Sequence, residues 1–202
     1  MSTYGKTIAY AVNNNGFSEL YLRGYETGGK PLITVVDKRS QKVTLPGQGV
    51  IGGIALDRSE NLVAFSFASP TRNSDIWVYD RARRSLNQIT HSDTAGVDLK
   101  ALVAPRLISY KSFDGREITA WYYQPAKRSS RMPVIVSVHG GPEGQERPGF
   151  NALYQYYLSR GYAVLATNVR GSTGYGKTFT HLDDVRKRED RSEEHTSELQ
   201  SH

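Results

Sequence analysis

The chain has 202 residues, of which 38% are hydrophobic and 23% charged, and it contains no cysteine. This composition is typical of a soluble globular protein and excludes disulfide bonds and cysteine chemistry. The formal net charge is +6, but the basic residues are scattered without interleaved aromatic residues, so we expect no nucleic-acid partner. The apolar runs are far shorter than the ~20 residues of a membrane-spanning helix, and no signal peptide is evident. The sequence therefore predicts no membrane partner and favours a cytoplasmic location.

Two similar segments occupy most of the first hundred residues. Residues 6–36 and 61–90 each contain alternating apolar runs around a turn-rich cluster, which is typical of β-hairpins. At an offset of about 55 residues they match at three places: Ala9-Tyr10 with Ala64-Phe65, Ser18-Glu19-Leu20 with Ser74-Asp75-Ile76, and Ile33-Thr34 with Ile89-Thr90. Such a repeat predicts about two blades of a β-propeller over residues 1–97, with a generic antiparallel β domain as the alternative. Because a propeller needs at least four blades, Met1 is not expected to be the native start.

The aromatic residues of this repeat are interpreted as packing residues between sheets rather than as ligand contacts. They are Tyr10, Tyr21, Trp77 and Tyr79.

The pattern changes after residue 97. An Asp-Gly pair inside Phe113–Arg116 predicts a hairpin turn. PVIVSVHGGP (133–142) and YAVLATNVRG (162–171) are continuous apolar runs, which favour strands buried on both faces of a sheet. Between them, the spacing of Phe150, Leu153, Tyr157 and Leu158 predicts a helix capped by Gly161. Residues 98–190 are therefore predicted to begin an α/β domain with two parallel strands.

The segment VHGGP (138–142) follows the first of these strands directly. In α/β-hydrolases an H-G-G loop at this place donates a backbone hydrogen bond to the oxyanion of a tetrahedral intermediate. No carboxylate is placed to hold His139 as a base. We therefore interpret Gly140 and Gly141 as candidate oxyanion-hole residues, and His139 and Pro142 as residues that shape the loop.

Three stretches together resemble the start of the peptidase domain in the prolyl oligopeptidase family: FDGREITAWYYQP, PVIVSVHGGPEGQ and NALYQYYLSRGYAVLATNVRGSTGYGKTF. The nearest resemblance is to acylaminoacyl-peptidase and dipeptidyl-peptidase-like members. It implies a β-propeller fragment followed by the N-terminal part of an α/β-hydrolase domain, and cleavage of short peptides by a Ser, Asp, His triad. It also implies that Gly140 and Gly141 supply the oxyanion-hole donor, and that His139 stands where some members carry a tyrosine.

Residues 171–178, GSTGYGKT, match the phosphate-loop pattern G-x-x-x-x-G-K-S/T. The resemblance offers another interpretation, because the family places N-x-R-G-S-x-G-Y-G after the second strand, as residues 168–176 do. It implies a structural loop near the active site, with Arg170 holding neighbouring backbone and carboxylate groups. We favour this loop over an ATP site because no later strand ends in the Asp that would complete a Mg²⁺ site.

No segment satisfies the nucleophile pattern G-x-S-x-G, and the triad order Ser, Asp, His places all three residues beyond Asp190. The last residues, RSEEHTSELQSH (191–202), resemble a translated sequencing adapter and are interpreted as a non-native tail. We therefore expect an inactive fragment of a serine peptidase, without cofactor or metal. The alternatives are an esterase with an accessory propeller and a non-enzymatic propeller that binds a partner.

Overall fold

A computed structural model describes residues 6–28, 32–34, 40–127, 131–140 and 143–184. Gly141, Pro142 and the proposed tail at 191–202 lie outside the described residues. The chain divides into two compact units, Met1–Leu99 and Lys100–His202. No helix in the described part of the chain has the length and apolar character needed to cross a membrane.

The described part of the first unit consists of antiparallel strands. The strands are β1 (Thr7–Asn14), β2 (Phe17–Gly24), β3 (Glu26–Gly28), β4 (Leu32–Thr34), β5 (Gln41–Val43), β6 (Val50–Leu56), β7 (Leu62–Ser69), β8 (Arg72–Asp80) and β9 (Ser85–Gln88). Strands β6 to β9 form a four-stranded meander in chain order, which is the form of a propeller blade. Strands β1, β2 and β5 form a three-stranded sheet, and β3 pairs with β4 as a separate hairpin.

The register confirms two of the three repeat matches. Tyr10 lies opposite Tyr21 across β1 and β2, and Phe65 lies opposite Trp77 across β7 and β8. These positions correspond when β1 is aligned with β7 and β2 with β8. The first two matched segments therefore occupy equivalent strands.

The third match, Ile33-Thr34 with Ile89-Thr90, is wrong. Thr34 belongs to β4, which pairs with β3, whereas Ile89 N–H donates to Ile76 of β8. The strand equivalent to β9 is β5, because Lys42 lies opposite Tyr21 as Gln88 lies opposite Trp77. The hairpin β3–β4 is inserted between β2 and β5. Its short apolar run resembles that of a blade's last strand, so the insertion is not evident from the sequence.

The three-stranded sheet and the four-stranded sheet of the first unit share one apolar core. Phe65 and Val63 of β7 are almost fully buried, as are Leu20 and Val43 of the three-stranded sheet. Tyr79 is buried in this core, and Trp77 is partly buried against it, so both are packing residues. The buried members are Leu20, Leu22, Val43, Ile51, Val63, Phe65, Phe67 and Tyr79.

The other two aromatic residues of the repeat lie on a different face. Tyr10 and Tyr21 stack with ring centroids 5.6 Å apart. Their hydroxyls bond to Ser40 Oγ at 2.8 Å and Glu19 Oε2 at 2.6 Å, respectively. They therefore pack against each other rather than in the shared core.

The second unit contains a mixed four-stranded sheet. Its elements are β10 (Arg106–Lys111), β11 (Glu117–Tyr123), β12 (Val134–Val138), α1 (Ala152–Ser159), β13 (Ala163–Asn168) and α2 (Lys177–Thr180), with 3-10 turns at Leu99–Ala101 and His181–Asp183. The strand order is β10-β11-β13-β12. Strands β12 and β13 are parallel, and β11 pairs antiparallel with both β13 and β10. The expected strand, helix, strand unit and its two parallel strands are present, and the predicted hairpin around residues 113–116 adds β10 and β11 to the same sheet.

This arrangement explains why the two apolar strands are buried to different extents. Every residue of β13 is buried, as predicted, because β13 has neighbours on both sides. The prediction that β12 is also buried on both faces is wrong. Strand β12 is at the edge of the described sheet, and its first residue, Val134, is 45% exposed.

The helix α1 begins one residue after its N-cap, Asn151. The Asn151 side chain accepts hydrogen bonds from the N–H groups of Leu153 and Tyr154 at 3.0 and 3.1 Å. Gly161 follows the helix with φ +87, as expected for a cap. The predicted buried face is partly wrong, because Leu153 is exposed and Tyr154 is buried with Leu158. The Tyr154 hydroxyl is bound to Ser137 of β12 at 2.6 Å, which orients this face toward the sheet.

Candidate active site

The carboxyl ends of β12 and β13 meet at one edge of the second unit's sheet. The strands are parallel, with Val138 opposite Thr167. His139 and Asn168 therefore leave the sheet side by side. Since ligands of α/β sheets bind outside the carboxyl ends of the strands, this edge is the candidate site.

His139 is held by the loop that follows β13. Its Nε2 lies 2.7 Å from the Oγ of Ser172, a fully buried residue. Ser172 Oγ donates its one proton to the carbonyl of Val169 at 2.5 Å. The Ser172 hydroxyl therefore links the imidazole of His139 to the backbone of the loop after β13. An imidazole held in this way supports the interpretation of His139 as a residue that orients the loop.

Glycine is required in the loop after β12 at a position that the sequence did not single out. A Cβ on Gly144 would lie 2.6 Å from His139 Nδ1, whereas a Cβ on Gly140 would meet no atom of the described residues within 4 Å. The imidazole therefore packs against the backbone of Gly144, and Gly140 borders open space. Of the two candidate oxyanion residues, Gly140 is described, and Gly141 lies outside the described residues together with Pro142.

Asn168 anchors the loop after β12 through the backbone of Glu146. Its Oδ1 accepts from Glu146 N–H at 2.8 Å, and its Nδ2 donates to the Glu146 carbonyl at 3.2 Å. The indole N–H of Trp121 also donates to this carbonyl, at 3.1 Å, and Thr173 N–H donates to Gly144 at 2.8 Å. Strands β11 and β13 therefore both fix the loop. The sequence showed Asn168 as the first residue of N-x-R-G-S, but it gave no indication of these partners.

The side chain of Glu146 lies in a partly buried polar cluster beside this anchor. Burial raises the pKa of its carboxyl group, and a hydrogen bond from the Tyr154 hydroxyl opposes this effect only in part. Tyr154 in turn reaches Ser137 on β12 and makes an edge-to-face contact with Tyr123, with centroids 5.4 Å apart. Burial also raises the pKa of Tyr123. This cluster links the loop to the helix and to two strands.

Arg170 lies near the same edge but binds the turn between β10 and β11. It is 3% exposed, and its Nη2 donates to Ser112 Oγ at 3.1 Å and to Asp114 Oδ1 at 3.3 Å. Its guanidinium also lies 4.7 Å from the centroid of the Phe113 ring. Burial acts to raise the pKa of Asp114, but hydrogen bonds from Arg116 N–H and the charge of Arg170 hold that pKa below its usual value. The described contacts of Arg170 therefore match the expected bond to a carboxylate, and they do not connect it to His139.

The backbone N–H groups of GSTGYGKT already have protein partners at its start. Gly171 donates to Phe179 at 3.1 Å, Ser172 to Val169 at 3.0 Å and Thr173 to Gly144 at 2.8 Å. A phosphate loop needs such groups free to surround phosphates. Gly171 also has φ +89, and a Cβ there would lie 2.1 Å from the Asp183 carboxylate. These contacts support a packed structural loop rather than a nucleotide site.

The described residues contain no cluster of three or more His, Asp or Glu side chains that could hold a metal ion. In the described part of this edge, the imidazole of His139 is bonded to the hydroxyl of Ser172, which is fully buried and also bonded to the Val169 carbonyl.

Comparisons with known proteins agree with this fold. Residues 87–191 match the family model described as acetyl xylan esterase (AXE1). Dipeptidyl aminopeptidase BIII of Pseudoxanthomonas mexicana is 32% identical over 146 residues, which cover 67% of this chain and 20% of that protein. The chain therefore spans about a fifth of the length of this curated relative.

Two solved structures resemble both units. A prolyl endopeptidase matches with a TM-score of 0.76 at 18% identity, covering 95% of this chain and 27% of its own. The acylaminoacyl peptidase of Pyrococcus horikoshii matches with a TM-score of 0.67 at 25% identity, covering 97% of this chain and 29% of its own. Together these matches identify propeller blades followed by the start of an α/β-hydrolase domain. The chain therefore belongs to the prolyl oligopeptidase (S9) family, and over residues 87–191 to the acetyl xylan esterase (AXE1) family.

Proposed function

We propose that this chain supplies the oxyanion-binding part of a serine-type peptidase acting on short peptides or acyl-peptides. The backbone N–H groups of Gly140 and Gly141 are the donors, and the serine, aspartate and histidine of the triad lie beyond Asp190. Residues 1–97 form propeller blades that limit access to short substrates, and residues 98–190 begin the hydrolase domain. The observation that carries the proposal is the position of Gly140, bordering open space directly after the anchored His139 at the carboxyl end of β12.

The chemistry follows from what an N–H donor does at this place. When the serine hydroxyl attacks the substrate carbonyl carbon, the C=O electron pair moves onto oxygen, and the histidine of the triad takes the hydroxyl proton. The glycine N–H groups donate to this oxyanion more strongly than to the ground-state carbonyl, so they lower the barrier. Collapse of the intermediate expels the amine and leaves an acyl-serine, which water then hydrolyses.

The described contacts of the loop after β12 hold the residues on either side of Gly140. Asn168 and Trp121 both bind the Glu146 backbone, and Ser172 holds the His139 ring. Because rigid donors need no reorganisation when charge develops, we assign positioning roles to Asn168, Ser172 and His139. Arg170 stabilises the β10–β11 turn beside the site.

The first test uses the 202-residue chain. We expect no hydrolysis of aminoacyl or acyl-aminoacyl p-nitroanilides, and no covalent labelling by a serine-directed fluorophosphonate. Turnover or labelling by the purified chain would contradict the proposal that the triad lies beyond Asp190.

The second test uses the longer protein encoded by the extended reading frame. Gly140→Pro removes a backbone N–H, whereas the matched control Gly140→Ala keeps it and meets no described atom within 4 Å. If Gly140 donates to the oxyanion, the proline variant loses about 10² to 10³ in kcat and the alanine variant stays within a few-fold of the parent. The same pair at Gly141 separates the two donors. Equal activity of all four variants would refute the assignment.

An esterase is the second candidate, because residues 87–191 match the acetyl xylan esterase family. The same N–H donors serve an ester carbonyl. In the longer protein, kcat/KM for p-nitrophenyl acetate is compared with that for aminoacyl p-nitroanilides. A peptidase is expected to hydrolyse the p-nitroanilides whose aminoacyl group fits its site. Hydrolysis of p-nitrophenyl acetate without hydrolysis of any p-nitroanilide would favour the esterase.

A further inference from the structure

The first unit contains a cavity that the proposed function does not use. Its volume is about 280 Å³, and it opens at the end of the β6–β9 sheet where β7 turns into β8. This volume is close to the lower end for small-ligand sites, about 300 Å³. The side chains that matter for binding are Phe67, Arg72, Asn73, Asp75, Trp77 and Gln88.

Two side chains of this cavity, Arg72 and Asn73, offer hydrogen-bond donors to a ligand. The exposed Arg72 side chain forms no hydrogen bond or ion pair among the described residues, so its five N–H groups are available. Asn73 Oδ1 accepts from Ser74 N–H at 2.8 Å, so the Asn73 amide N–H groups are the part of this side chain that can still donate to a ligand. Arginine binds carboxylates through two parallel hydrogen bonds.

Asp75 is held by its neighbours rather than by Arg72, with which it forms no ion pair among the described residues. Oδ1 accepts from Thr90 Oγ1 at 2.8 Å and from Ser92 N–H at 2.9 Å, and Oδ2 accepts from Gln88 Nε2 at 3.1 Å. Burial acts to raise the pKa of Asp75, but these hydrogen bonds outweigh it and lower that pKa. Asp75 therefore fixes the segment after β9.

Two aromatic side chains provide the apolar wall. Phe67 is 6% exposed, and a Cβ on Gly49 would lie 2.4 Å from Phe67 Cζ, so the ring is packed on the Gly49 backbone. Trp77 is partly buried against the core of the first unit. Rigid aromatic surfaces contact apolar ligand groups at a low entropic cost.

We propose that this cavity binds the C-terminal carboxylate of a short peptide, with Arg72 as the bidentate donor and Trp77 in contact with the last side chain. Donors beside an aromatic wall suit a carboxylate carried next to an apolar group. The site lies within the first unit and needs no hydrolysis, so it goes beyond the proposed function and can succeed or fail independently of it.

The test is isothermal titration calorimetry of the 202-residue chain with three probes: N-acetyl-alanyl-phenylalanine, its C-terminal amide, and acetate alone. We expect saturable binding of the free acid. The amide is expected to bind at least about 10-fold more weakly, because it lacks the charge-assisted hydrogen bonds. Acetate is expected to bind more weakly still, because it cannot contact Trp77.

Variants then assign the donor. Arg72→Gln is expected to weaken binding of the free acid at least about 10-fold. Arg58→Gln makes the same charge change in the β6–β7 turn, at a residue outside the cavity, and is expected to bind as the parent does. Equal binding of acid and amide, equal binding by both variants, or acetate binding as tightly as the peptide would each overturn the proposal. The comparison of acid and amide on the unchanged chain does not depend on whether a variant folds.

Discussion

Replacement of Asn168 by alanine is expected to release the loop after β12. The side chain is fully buried and makes one bond to Glu146 N–H and one to the Glu146 carbonyl. A neutral hydrogen bond contributes about 1 kcal/mol net, and a buried donor left without a partner costs about 1–3 kcal/mol. The carbonyl keeps its bond from Trp121, so the unpaired group is the Glu146 N–H. We expect Asn168→Ala to lower the free energy of unfolding by about 2–4 kcal/mol.

The matched control is Asn151→Ala in the same unit. Asn151 also accepts from two backbone N–H groups, at the start of α1, but these groups can reach water when the cap is lost. The expected cost is about 1 kcal/mol. Each variant loses two hydrogen bonds, so a difference between their free energies of unfolding measures the effect of burial rather than the number of hydrogen bonds.

Urea unfolding followed by tryptophan fluorescence reports on this unit directly. The chain has two tryptophans, so a Trp77→Phe background leaves Trp121, which contacts the Glu146 carbonyl, as the reporter. Hydrogen exchange at Glu146 N–H provides a local measurement, with protection lost in Asn168→Ala and kept in Asn151→Ala. If Asn168→Ala costs no more than Asn151→Ala, or the Glu146 amide stays protected, Asn168 does not anchor the loop.

Four further predictions concern single residues of the same unit. Gly171→Ala is expected to destabilise the chain by more than Gly176→Ala, because both glycines have positive φ but, of the two, only Gly171 lacks space for a Cβ. The control, Gly176→Ala, should lower the free energy of unfolding by about 1–3 kcal/mol. Equal melting curves of the two variants would contradict the prediction. Ser172→Ala removes the hydrogen-bond partner of His139 Nε2, so the side-chain ¹⁵N shifts of His139 should change, and unchanged shifts would argue against the bond. Since burial raises the pKa of Glu146, ionisation of this carboxyl group destabilises the folded state. Glu146→Gln should therefore increase the free energy of unfolding at pH 7. This increase should vanish as the pH falls to about 4, the pKa range of glutamate in an unfolded chain. A gain that persists at low pH would have another cause. Mg²⁺-ATP should show no saturable binding, and binding that is lost in Lys177→Ala would restore the phosphate-loop interpretation.

Much of the fold could be predicted because it depends on local patterns. The Asp-Gly turn at residues 113–116, the continuous apolar strand that became β13 and the glycine after α1 follow from local backbone and burial preferences. The repeat of residues 6–36 and 61–90 indicated blades because alternation has the period of a strand. The glycines of VHGGP and the run N-x-R-G-S marked the strand ends.

The errors arose where strand pairing was needed. The sequence could not show that β11 pairs with β13, and it could not show that β12 lies at the edge of the described sheet. The insertion of β3–β4 displaced the last strand of the first sheet, because only the register identifies Lys42 as the equivalent of Gln88. Pairing joins residues that are distant in sequence, and such contacts leave no periodic signal in one chain.

The sequence by itself indicated the strand, helix, strand unit and the family, and it gave the two glycines that we propose as oxyanion donors. Only the tertiary structure showed which side chains hold the loops at the ends of β12 and β13. The bonds from Ser172 to His139, from Asn168 to Glu146 and from Arg170 to Asp114 join residues separated by 33, 22 and 56 positions. The physical reason is that a side-chain hydrogen bond depends on distances of about 3 Å, and those distances exist only after the sheet has brought its strand ends together.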